Sequence, residues 1–385
     1  MSCGAFSATL DLLRSSKRLS IGQEHKVCAT LLQYKYIYIY IKMKEEILGM
    51  DELLHGASLE LDQSNLDFLT ARRIVDCHCE LGEGVLFDDR RKAVLWTDIL
   101  GKSFHKLQLD YERGAKIIFT TYDLPKKLCS FGMLETAPDG SKLPLLCAWE
   151  DGFQLYDVGL GTPLSAMSSG EDVNPQKGPT RLNDGRVEPQ GKRYVCGGYY
   201  GEDATVTMKV FKVEQMADGK LAHEPIEQGL RVTNSICWSL DGSTMYLADS
   251  PTKQIHRYAY DSATGTLSEK TLMHTKTTST KCVPDGSCVD EEGFLWNAVW
   301  RGGEAPGMVQ RIDPHTGHVV FTVHMPDATS QVSCCCFGGE DMDILFITTA
   351  AENRHDKEPH AGALYAVKVP FKGKPESRLS FTVST

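Results

Sequence analysis

No stretch of this chain reaches the roughly 18 consecutive apolar residues that a membrane-crossing helix needs, so a membrane partner is not expected. No run of Lys and Arg forms a stripe able to track a phosphate backbone, and 41 basic residues against 51 acidic ones leave a formal charge of −10. Nucleic acid is therefore not an expected partner either. Cys-x-x-Cys pairs are absent although the chain has 13 cysteines, so the spacing does not spell a structural zinc site. That count is odd, and many of the thiols sit in apolar runs such as Ser333-Cys334-Cys335-Cys336-Phe337, where free cysteine acts as a small hydrophobe. A reduced, cytoplasmic protein is the expectation. Beyond about residue 75 no long stretch has helical period, which excludes a fold built from helices.

What is there divides in two. Residues 1–70 mix charged and Ser-rich stretches with the alternating run Tyr34-Lys35-Tyr36-Ile37-Tyr38-Ile39-Tyr40-Ile41, and they carry no signal-peptide pattern. We expect them to be an N-terminal extension, disordered or dispensable for folding, with Met43 or Met50 as a functional start. Residues 71–385 have a uniform texture of short β-branched and aromatic runs bounded by Asp, Gly and Pro turns, which predicts an all-β domain.

Within that domain one unit recurs at about fifty residues. Gly84-Val85-Leu86-Phe87-Asp88, Ala93-Val94-Leu95-Trp96-Thr97-Asp98 and Phe104-His105-Lys106-Leu107 set the pattern of strand, turn, strand, strand. It returns near Gly132, Gly185, Ile236, Ser287 and Cys335. Six such units predict a six-bladed β-propeller around a central channel, with the first strand of each unit lining it. Just before those strands stand Glu83, Ser130, then Arg181, Asn183 and Asp184 together, then Asn234 and Asp285, so radial closure would gather them at one mouth.

Glu83, Asn234 and Asp285 offer only oxygen donors, which suits one divalent metal ion such as Ca²⁺, Mg²⁺ or Mn²⁺ and does not exclude Zn²⁺. Three protein ligands leave positions open, as a catalytic metal requires. Arg181 brings a planar fork of donors and Asn183 both donates and accepts; with Glu202 they could hold a small polar substrate against the ion.

Cys79-Glu80-Leu81-Gly82-Glu83-Gly84, Arg181-Leu182-Asn183-Asp184-Gly185, Thr233-Asn234-Ser235-Ile236-Cys237-Trp238 and Pro284-Asp285-Gly286 follow one another in order. Over about residues 72–370 the chain resembles the regucalcin and gluconolactonase family, also called senescence marker proteins. The resemblance implies a propeller that hydrolyses a sugar lactone with one divalent ion on the residues matching Glu83, Asn234 and Asp285. It places substrate contacts on Arg181, Asn183 and Glu202. Departures from the family pattern include Val85 where proline is common, Cys196-Gly197-Gly198-Tyr199 after a one-residue insertion, and a longer loop Arg301–Gly307.

Two classes of function compete. A lactonase would activate the ring ester with the metal and use Asp285 as general base as well as ligand. A calcium-binding regulatory propeller without turnover would need the acidic ligands but not Arg181 and Asn183 together. A related propeller hydrolase acting on another lactone or ester is the third reading.

Overall fold

Six antiparallel sheets of four strands, one with a fifth strand at its edge, carry most of the described residues, and no α-helix occurs among them. A computed structural model describes residues 68–109, 118–135, 142–176, 179–201, 203, 205–276, 281–326 and 328–383. Five sheets follow chain order outward from the axis; the first is Gly82–Asp88, Ala93–Asp98, Ser103–Gln108 and Ile118–Asp123. The six innermost strands are Gly82–Asp88, Leu128–Met133, Arg181–Val187, Thr233–Trp238, Val283–Val289 and Val332–Gly338. Each touches the next, and the sixth touches the first, which makes the ring of a six-bladed β-propeller.

The apolar pattern follows from that ring. A blade is sandwiched between two others, so its inner strands are buried on both faces and read as continuous apolar runs rather than as alternations. Ala93–Asp98 and Pro144–Trp149 are buried at every position, whereas the outermost strand Ile118–Asp123 is partly or fully exposed throughout. Trp96, Trp149, Trp296, Phe104 and Phe131 are fully buried. Burying a large apolar side chain such as phenylalanine stabilises by roughly 1.5–3 kcal/mol.

Closure uses the two ends of the domain. The sixth blade takes its outer strand, Arg72–Val75, from before the first blade and pairs it antiparallel with Leu364–Lys368. Phe68–Thr70 adds a parallel edge strand to the fifth blade, on Val319–His324. The expected division near residue 70 therefore falls among strand residues, and the propeller's chain includes Phe68. The Tyr34–Ile41 run lies outside the described residues.

After the last blade the chain crosses the far ends of the inner strands. Asp290 bridges to Gly373, the Leu379 N–H donates to the Met133 carbonyl (2.8 Å), and the Ser380 N–H donates to the Gly191 carbonyl (2.8 Å). Arg378 donates to Asp88 at 2.8 Å, and Arg186, inside the channel wall, lies 3.6 Å from Glu376. The tail thus covers the ends of the inner strands, opposite their beginnings.

Candidate functional site

Every inner strand breaks register with its neighbour close to its beginning. The irregularities fall between Glu83 and Leu86, Leu128 and Ser130, Leu182 and Gly185, Asn234 and Cys237, Pro284 and Ser287, and Val332 and Cys334. A bulge unpairs a residue and re-aims its side chain, so six of them at one level gather side chains at the axis. The polar residues expected just before the strands stand inside them, at these bulges. Two glycines show why the sequence needs them there. Gly84, after Glu83, has φ +59°, and a Cβ on Gly286, after Asp285, would meet the Cys334 sulfur at 2.6 Å. Ser235, after Asn234, takes φ +60° without being glycine. That local strain is held by its hydroxyl, which donates to the Asp285 carbonyl (2.7 Å) and accepts from Ser287 (2.9 Å) and Asn297 (3.0 Å).

Hydrogen bonds tie the third, fourth and fifth blades together at this level. The Asn183 amide donates to the Thr233 carbonyl (2.9 Å) and to Asn234 Oδ1 (3.1 Å). Asn234 Nδ2 donates to Ser250 (2.8 Å), whose hydroxyl donates onward to the Pro284 carbonyl (2.7 Å). With Nδ2 drawn to Ser250, Asn234 keeps Oδ1 on the side of Asn183 with a lone pair to spare. Arg181 donates through Nη1 to the Leu182 carbonyl (3.0 Å) and to Asn183 Oδ1, and its guanidinium lies 4.5 Å from the centre of the Tyr199 ring.

Three carboxylates share the mouth, Glu83 and Asp285 buried and Asp184 partly buried. Burial, with the Asp184 charge adding to it, lifts Glu83 from its ordinary 4.5 to about 8. Asp285 is raised well above the carboxylate range by burial first and then by Glu83 and Asp184, against the lowering effect of Arg181. Asp184 is raised by burial, although it accepts the Ile236 N–H at 2.9 Å. Asp285 Oδ1 is buried without a hydrogen-bond partner. Repelling carboxylates and an orphaned acceptor are what a bound cation would relieve, and with the Asn234 amide they form an all-oxygen donor set. The residues fit a divalent ion.

Among the described residues, three His, Cys, Asp or Glu ligand atoms lie within 4.8 Å of one another at a single place, Cys79 with Asp98 and His105, a group that includes none of these carboxylates. Glu202 lies outside the described residues. Arg181, Asn183, Asn234, Asp285 and Glu83 are all buried at the mouth. Sequence reading gave no role to Ser250, which holds the Asn234 amide, or to Asn297, which donates to the Asp285 carbonyl. It also passed over Glu352, a half-buried carboxyl raised by burial and lowered by Arg181. Ser250 directly follows the second strand of the fourth blade, Thr244–Asp249, and that position was the available signal.

The raised Glu83 has a measurable consequence. A carboxyl whose folded pKa lies above its unfolded value binds more protons when folded, so stability falls as pH rises through that window. Metal-free protein is expected to lose melting temperature as pH rises from about 4.5 to about 8, and Glu83→Gln should flatten the decline. Thermal scans in chelator check it; a melting temperature that climbs across that window contradicts the shared burial of these carboxyls.

A family model described as SMP-30/Gluconolactonase/LRE-like region matches residues 81–351. Regucalcin of Danio rerio is 34% identical over 313 residues, 77% of this chain and 93% of its own. A pentonolactonase of Haloferax volcanii is 29% identical over 318 residues, 80% of this chain and 98% of its own. Among solved structures, a calcium-binding protein, regucalcin, from Agrobacterium tumefaciens is 28% identical with a TM-score of 0.66, covering 82% of this chain and 99% of its own.

Proposed function

Since the chain belongs to the SMP-30/gluconolactonase/LRE-like family, we propose that it hydrolyses a sugar lactone to the aldonic acid at the channel mouth, with one divalent ion on Glu83, Asn234 and Asp285. The observation that carries this reading is the pairing of a buried carboxylate with one unpartnered oxygen, Asp285 Oδ1, with a buried, pre-oriented Arg181. An ion site alone has no use for the arginine. When bound, the ion supplies a Lewis acid at the lactone carbonyl and the counter-charge that lets the carboxylates ionise.

The chain's own groups do the rest. Arg181, fixed by the Leu182 carbonyl and Asn183 and stacked on Tyr199, presents its remaining donors to the substrate hydroxyls or to the carboxylate that develops. Asn183 has spent both amide hydrogens, so it holds Arg181 and Asn234 in place and offers substrate one lone pair on Oδ1. Asp285 takes a proton from the attacking water as the new C–O bond forms, and returns it to the ring oxygen as the ester bond breaks. Glu202 would add a further substrate contact. All eleven described cysteines are free, which supports a reducing, cytoplasmic setting, and no helix is long and apolar enough to cross a membrane among the described residues.

Turnover of a panel of lactones, glucono-1,5-lactone among them, by metal-stripped protein with Ca²⁺, Zn²⁺, Mn²⁺ or Mg²⁺ added back tests the reading. Hydrolysis restored by at least one ion is expected. Tight Ca²⁺ binding with no turnover of any lactone would instead establish a calcium-binding propeller.

A further inference from the structure

Residues 76–81 are where the ring is fastened. They lead from Arg72–Val75, the outer strand of the sixth blade, to Gly82–Asp88, the innermost strand of the first. The Cys79 N–H donates to the Gly362 carbonyl (2.8 Å), and the Cys77 thiol donates to the same oxygen (3.1 Å). Asp98 holds the other side: its carboxylate accepts the N–H groups of Glu80 (2.8 Å), Leu81 (2.9 Å) and Gly101 (2.9 Å). Asp249 does the same for Arg231 and Val232 in the fourth blade, so this is a structural device of the repeat.

The first blade adds something the fourth lacks. Cys79 Sγ, a His105 nitrogen and an Asp98 oxygen lie within 4.8 Å of one another, with Cys79 Sγ 3.5 Å from His105 Nε2; Cys77 Sγ, 3.5 Å from Cys79 Sγ, stands outside that group. Around a tetrahedral zinc ion, with bonds of about 2.3 Å to sulfur and about 2.0–2.1 Å to imidazole nitrogen, neighbouring ligand atoms stand about 3.5–3.8 Å apart. Both measured separations from Cys79 match that spacing.

The surroundings are built for it. His105 Nδ1 lies 3.0 Å from the Thr121 hydroxyl, which can accept the Nδ1 proton and so leave the Nε2 lone pair toward Cys79 and Ser103. The ring is clamped by stacking on Trp96 (5.1 Å) and Phe119 (5.6 Å). The Trp96 indole N–H is buried without an acceptor. Three of the roughly four lone-pair directions of Asp98 are taken by backbone, which leaves one.

We propose that Cys79, His105 and Asp98 form a zinc-type metal site that clasps the propeller where its N-terminal strand passes into the first blade, with the neighbouring Cys77 sulfur turning in from beside Cys79 as the fourth ligand. Two sulfurs and an imidazole select a thiolate-seeking ion, whereas the mouth offers oxygen alone, so the two sites sort different metals. The clasp lies four residues before Glu83 and fixes the segment that delivers it. It does not depend on lactone hydrolysis.

Cobalt(II) distinguishes the sites, because only thiolate ligands give sulfur-to-cobalt charge-transfer absorption in the near ultraviolet. Reduced, metal-stripped full-length protein should develop that band together with the visible bands of a tetrahedral ion. The Asp285→Ala variant should develop them too, and there added zinc should raise the melting temperature as for any ligand of the folded state. Cys77→Ser, at a half-buried position that tolerates the change, should lose at least half of the band and most of the zinc-induced shift. His105→Gln should weaken both. Folded, reduced wild-type protein without the band, or a band untouched by Cys77→Ser and His105→Gln, overturns the proposal, as does a mass showing Cys77 and Cys79 joined as a disulfide in protein prepared under reducing conditions.

Discussion

Asp285→Ala is expected to abolish tight binding of the divalent ion at the mouth and to lower kcat/KM for the lactone by roughly a thousandfold, since a metal acting on a carbonyl contributes several kcal/mol to the transition state. The same variant should fold. Asp285 lies at the polar mouth, and its backbone carbonyl, which takes the hydrogen bonds from Ser235 and Asn297, survives the substitution. Its carboxyl is held far above its ordinary pKa by burial beside Glu83 and Asp184, so at neutral pH it costs the metal-free protein stability. Metal-free Asp285→Ala should therefore melt at or above the wild type, while losing the rise that metal gives. Titration calorimetry and thermal scans with and without metal separate these effects. Full activity in the variant, or an unchanged metal affinity, removes Asp285 from the site.

Much of the fold was legible because a propeller writes its core as a repeat. Strands such as Ala93–Asp98 and Leu295–Trp300 are apolar on both faces for the reason that blades flank them, and the Asp and Gly turns between strands keep their spacing from unit to unit. Arg72–Val75 was not legible as the sixth blade's outer strand. Its partner, Leu364–Lys368, lies nearly the whole domain away, and four residues with two arginines carry no periodic signal. The ring of channel residues could be read because each precedes the apolar part of an inner strand. What could not be read was which atoms they turn toward one another. Ser250 acts on Asn234 through one hydroxyl, Ser235 supports Asp285 across a blade boundary, and Asn183 spends its amide on Thr233 and Asn234. Such bonds depend on bulge geometry that residue types do not encode. The Cys77 and Cys79 pair escaped for a related reason: its third and fourth partners, His105 and Asp98, come from later strands of the first blade, and no spacing rule links them.

Arg181→Lys should separate the substrate from the metal. Lysine keeps the positive charge that lowers Glu83 and Asp285, so the carboxylates remain as ready to take a cation as in the wild type. What it loses is the planar fork: the bonds that Nη1 makes to the Leu182 carbonyl and Asn183, the stacking on Tyr199, and the second face of donors offered to substrate. Hydrogen bonds to a charged group contribute about 1.5–3 kcal/mol, so kcat/KM should fall roughly ten- to a hundredfold. Metal affinity should hold. Arg181→Met is the informative companion, because removing the charge lifts both carboxyls further and should weaken metal binding near neutral pH, with recovery as the pH is raised. Steady-state kinetics and metal titrations on the two variants read the two effects independently. If Arg181→Lys binds metal as poorly as Arg181→Met, the arginine belongs to the architecture of the ion site, and its assignment to substrate is wrong.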